Sequence, residues 1–137
     1  MKILISFFIL VYSAASFASC RLDSEEGMKA YDKADEYSSS SESKIISMKR
    51  ARQGSALYCS KGQEARMGIL AAANTYKKSY ELFNDVAENC NLSNYSNSPG
   101  NAQSALDQYY EHAKILRQMD FVMNRDCDES PVSILLD

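Results

Sequence analysis

The sequence predicts an all-α protein: a small up-down-up three-helix bundle stapled by two disulfides. Three observations carry this. The 137 residues include only 5 Gly and 2 Pro, too few turn formers for a β-sandwich or barrel. Apolar residues recur at steps of three and four along two long stretches. Four Cys lie near the ends of the helices marked by that periodicity. The length suits one domain, and no internal repeat divides it.

Residues 1–18 read as a cleaved signal peptide. Met1-Lys2 gives a short basic start, Ile3 to Tyr12 is apolar apart from Ser6, and Ser16-Phe17-Ala18 places small residues before the cut. The apolar run is too short for a membrane span, which needs ~20 residues, and no later run is longer. The expected mature chain begins at Ser19-Cys20, with 14 basic against 18 acidic residues, a charge of -4. Ser16-Phe17-Ala18-Ser19-Cys20 also resembles the lipobox of bacterial lipoproteins, although Leu is usual where Phe17 stands. Lipidation at Cys20 would leave three Cys and so one unpaired; the even count favours the soluble form.

The single helical domain is expected over 19–127. Its first helix is read over about 24–58. Asp23 with Glu26 gives a capping pattern, and Met28, Ala30, Tyr31, Ala34 and Tyr37 give helical spacing. Ser38-Ser39-Ser40-Ser41-Glu42-Ser43 is poor helix material. The helix is therefore either bent or split near residue 40, and a split would approach a four-helix bundle. A second helix is expected over 63–89, with Ser60 and Gln63 as a capping box and Ala65, Ile69, Ala72, Tyr76, Tyr80 and Phe83 as its apolar face. Gly68 is its weak position, costing ~1 kcal/mol against Ala. A third is expected over 99–125, with Ser98 as cap, Pro99 in the first turn and Ala102, Ala105, Tyr109, Ala113, Leu116, Met119 and Met123 as its stripe. Residues 128–137 form an apolar tail that the pattern does not place.

Cys20, Cys59, Cys90 and Cys127 form no CxxC pair, so zinc-ribbon and thioredoxin-like motifs are absent. In an exported chain they read as disulfides. In an up-down-up bundle Cys20 and Cys90 share one end, and Cys59 and Cys127 the other. A helix of ~26 residues is ~39 Å long, whereas a disulfide needs Cα atoms within ~7 Å. Only the same-end pairs, Cys20 with Cys90 and Cys59 with Cys127, can then form. A hairpin at the Ser run would strand Cys90, so the even count supports three helices.

Composition narrows function by exclusion. There is one His, His112, and no GxSxG or HExxH motif, so no enzyme, metal site or cofactor is expected. His112 lies at the margin of the third helix's apolar stripe and reads as a boundary histidine in ordinary packing; a haem-binding bundle using it and a Met is the weakest alternative. The segment 43–63 holds Lys44, Lys49, Arg50, Arg52 and Lys61 without Asp or Glu, and reads as a solvated basic face. An acidic exported chain is a poor nucleic-acid binder. The tyrosines, Tyr31, Tyr58, Tyr76 and Tyr109 among them, read mostly as core and core-edge packing. The expected function is a non-enzymatic binding protein of the bacterial periplasm, of inhibitor or immunity type, whose partner is another envelope protein. The alternative is a lipoprotein subunit of an envelope assembly.

Overall fold

The computed structural model describes the backbone of residues 2–137 and the side chains of 19–137. The expected signal segment, 1–18, lies outside the described side chains. Three α-helices follow one another: α1 (Lys2–Arg50), α2 (Ala56–Asn89) and α3 (Ser98–Cys127). A short 3-10 turn, Ser133–Leu135, lies in the tail. Among the described residues there is no strand, and no helix is long and apolar enough to cross a membrane. The chain is the expected all-α three-helix bundle. Helix α2 is its middle member and packs against both others.

The helices mesh on a seven-residue repeat. In α2 the buried positions include Tyr58, Gly62, Ala65, Ile69, Ala72, Tyr76, Ser79, Phe83 and Val86, at alternating steps of four and three. In α3, Ser98, Ala102, Ala105, His112, Leu116, Met119 and Met123 keep the same alternation, with half-buried Tyr109 filling the gap. In α1, Cys20, Gly27, Ala34, Ser41 and Met48 recur every seventh residue. A seam of this period keeps straight-running contact only if helices wind slowly around one another in a left-handed sense. The α1 seam is built of small residues between its two ends. This explains why its apolar signal is faint in the sequence.

Several expected boundaries are corrected. Helix α1 is already running at Asp23 and Glu26, which do not begin it. It passes unbroken through the Ser run, so neither the split nor the four-helix alternative holds. The hydroxyls there turn back onto their own helix: Ser41 donates to the Tyr37 carbonyl at 2.7 Å, Ser43 to Ser40 at 2.7 Å and Ser47 to Ser43 at 3.0 Å. Such bonds absorb the competition that makes serine a poor helix former. The helix stops at Arg50, not 58, and the chain turns into α2 through a loop in which Gly54 takes a left-handed backbone with φ 71°. Helix α2 then starts at Ala56, capped by Ser55, which accepts from Tyr58 N–H at 3.2 Å. The Ser60–Gln63 box is interior to α2 and caps nothing. Helix α3 takes Ser98 as its first residue, with Pro99 in the first turn, and Asn97 precedes it without a side-chain cap.

Two disulfides join the helices as expected. Cys20–Cys90 ties α1 to the end of α2, with Cα atoms 6.0 Å apart, and Cys59–Cys127 ties the start of α2 to the end of α3 at 5.7 Å. No cysteine among the described residues is free. The main apolar cluster sits toward the Cys59–Cys127 end, where Met48, Tyr58, Ile69, Leu70, Leu116 and Met123 meet. A smaller cluster of Ala34, Ala72 and Tyr76, flanked by Tyr31, Tyr37 and Tyr109, lies beyond it.

Candidate functional site

The tail, unplaced by the sequence pattern, lies along α2 and α3. Asp128 ends α3 in a left-handed conformation, φ 55°, and turns the chain back on itself. Residues 130–137 then run past one face of α2, on which Arg66 and Asn74 stand two turns apart, and one face of α3, which carries Asp120 and Tyr109. Only Val132 and Leu136 of the tail pack against the main apolar cluster.

The contacts that hold it are polar and address its main chain. Arg66 Nη1 donates to the Ser130 carbonyl at 3.0 Å. Asp120 accepts from Val132 N–H at 3.1 Å on Oδ1 and from Ser133 N–H at 2.8 Å on Oδ2. Asn74 uses both ends of its amide: Nδ2 donates to the Leu135 carbonyl at 3.1 Å and Oδ1 accepts from Asp137 N–H at 3.2 Å. Tyr109 O–H donates to the Asp137 carbonyl at 2.8 Å.

Arg66 and Asp120 are the hub of this arrangement. Arg66 is fully buried, and its Nη1 meets Asp120 Oδ1 at 2.9 Å. Nη2 takes Gln63 Oε1 and lies 3.6 Å from Glu129 Oε2 in the tail. Arg66 Nε has no hydrogen-bond partner. Burial pushes the Asp120 carboxyl upward, but the Ser133 and Val132 donors and the Arg66 guanidinium outweigh it and hold it below the ordinary carboxylate range. The sequence reading missed both residues. They are 54 positions apart, and neither carries a local signal of burial beyond its place within an apolar run.

A second groove lies between α1 and α3, with a volume of about 290 Å³, lined by Ser38, Glu42, Ile45, Gln108, Glu111 and Ile115 among others. His112 lies at its edge and is buried. Its Nδ1 lies 2.8 Å from the Gln108 carbonyl, which can only accept, so Nδ1 carries the proton. Nε2 then accepts from Ser38 O–H at 2.8 Å. Both nitrogens are engaged, and the ring packs 5.0 Å from that of Tyr76. His112 therefore acts as a cross-brace between α1 and α3.

The other singled-out residues fall as follows. Tyr31, Tyr76 and Tyr109 belong to the smaller cluster, Tyr76 O–H donates to Asp35, and Tyr58 is buried with its O–H on Asp126 at 2.9 Å. Within the basic segment, Lys44 and Lys61 both pair with Glu64 of α2, at 3.0 and 2.7 Å. Among the described residues no cluster of His, Cys, Asp and Glu is arranged to hold a metal ion. Large apolar side chains remain in solvent, with Phe121 at 70% and Ile134 at 77% exposed. No family model, curated protein or solved structure matches the chain.

Proposed function

We propose that the chain is an exported, non-enzymatic binding protein of the bacterial envelope, holding a partner protein on a rigid bundle. The observation that carries this reading is the pair of disulfides, one at each end of the bundle, with no free thiol among the described residues. Such bonds persist in oxidising compartments. An inhibitor or immunity-type role suits a stapled scaffold, whose fixed surface loses little entropy on binding. The lipid-anchored alternative needs a free Cys20 thiol, and the Cys20–Cys90 bond occupies it. The haem alternative needs a free His112 nitrogen, and both are engaged.

The test is to express the full chain with a photo-crosslinking residue in place of Phe121 or Ile134 and to fractionate the cells. The expected result is periplasmic recovery with both disulfides formed. Crosslinking to one defined envelope protein should occur in the oxidised form and be lost on reduction. Cytoplasmic retention with alkylatable thiols would overturn the reading.

A further inference from the structure

The tail is held almost wholly by side chains that read peptide main chain. Asp120 takes two successive N–H groups, Asn74 takes a carbonyl and an N–H, and Arg66 and Tyr109 each donate to a carbonyl. Asp120 caps the first N–H groups of the Ser133–Leu135 3-10 turn and Asn74 brackets Leu136, so two helices hold a short segment that turns. Beyond the main chain the site reads the Ser133 hydroxyl at Asp120, the Glu129 carboxylate 3.6 Å from Arg66, and two apolar side chains, Val132 and Leu136, four residues apart. Between them Ile134 and Leu135 face solvent, at 77% and 55% exposure, and contribute little to holding the segment. Such a site accepts segments that can form the same turn, with a hydroxyl at its start and an apolar residue on either side of it.

We propose that the groove between α2 and α3 is a binding site for a short, turn-forming peptide segment of a partner protein, and that residues 130–137 occupy it in cis until such a segment displaces them. The inference rests on the binding-protein reading above and gives that reading a surface and a ligand class. The tail springs from Cys127, which is bonded to Cys59, so the end of α3 stays fixed to α2 when the tail leaves. A tethered occupant acts at an effective concentration of order mM, so the wild-type chain binds a peptide in trans weakly.

The probe is a fluorescent synthetic peptide with the sequence of residues 129–137, titrated into the purified, oxidised full chain. Ser133→Pro removes the N–H that Asp120 accepts at 2.8 Å, and proline also disfavours the helical backbone of Val132, φ -100° and ψ -11°. It alters the tail and leaves the groove intact. Ser133→Pro should lose amide protection in the tail, keep its helical circular dichroism, and bind the peptide at least ~10-fold more tightly than wild type. A peptide methylated on the nitrogens of its Val132 and Ser133 equivalents should not bind. A second measurement needs no variant: excess peptide should strip the amide protection of Val132 and Ser133 in the wild-type tail. The proposal falls if the tail of Ser133→Pro stays protected, if the freed groove ignores the peptide at mM concentration, or if the methylated peptide binds equally well. Because no natural partner enters the experiment, its failure leaves the export reading standing. Cytoplasmic retention, in turn, would leave a positive titration intact.

Discussion

Arg66 brings a permanent charge into a place without water, and Asp120 is what makes that tolerable. Removing one member of such a pair strands the other, at about 3–5 kcal/mol. Asp120→Ala should therefore lower the unfolding free energy in urea by an amount in that range, seen as a lower midpoint at an unchanged m-value. Replacing both residues with apolar ones of similar volume should cost much less. Acid should act through the same carboxyl. Because folding holds Asp120 below its ordinary value, the unfolded chain takes up the proton first. The stability this supplies is complete above about pH 4 and drains away as pH falls through the folded value. Asp126 is also held low, mainly by the hydrogen bond from Arg125, so the measurement is the difference between wild type and Asp120→Asn, which should shrink on acidification. None of this was legible in the sequence. An Arg and an Asp 54 positions apart look like two solvated charges until the helices bring them together. His112 shows the opposite case. Its place at the margin of an apolar stripe suggested ordinary packing, and its bonds to Ser38 and the Gln108 carbonyl show how that packing is satisfied.

Among the elements, periodicity disclosed the interiors of α2 and α3 better than their ends. An interior is repeated many times in the pattern, whereas an end rests on one or two residues. Ser60–Gln63 has the composition of a capping box but lies within α2, since Gly54 had already turned the chain and Ser55 had capped the helix. The faintness of α1 has a packing cause, and Gly68 tests it. Read alone, Gly68 is a weak point that alanine should improve by ~1 kcal/mol. In the structure a Cβ at 68 would collide with Ser41 Oγ, which is bonded to the Tyr37 carbonyl. Gly68→Ala should thus yield no stabilisation in the wild-type background, because Ser41 must rotate away. In a Ser41→Ala background it should recover the ~1 kcal/mol, giving a coupling of similar size in a double-mutant cycle read by thermal unfolding. Additive effects would show that α1 and α2 do not approach this closely.

At the scale of the whole molecule, the fold class, the helix count and the cysteine pairing were legible because geometry leaves few choices. Long antiparallel helices bring only same-end cysteines together. The tail was not legible, since a segment held through its main chain writes little into its side chains. The two disulfides span 70 and 68 positions, and restricting unfolded loops of that size contributes roughly 4 kcal/mol each in the chain-entropy account. Replacing Cys59 and Cys127 together by Ser should lower unfolding free energy by about that much, measured against wild type in urea. The pairing has one more consequence, which concerns cutting. Cys59 lies inside the span closed by Cys20–Cys90, and Cys127 lies outside it, so the two bridges interleave. A protease that severs any one bond between residues 20 and 127 leaves two pieces still joined through sulfur. A nick there would be invisible on a non-reducing gel and would appear only on reduction. The segment beyond Cys127 has no such tether. In a protease-rich setting, a single cut beyond Cys127 releases the tail that fills the groove, and its release would leave the groove open.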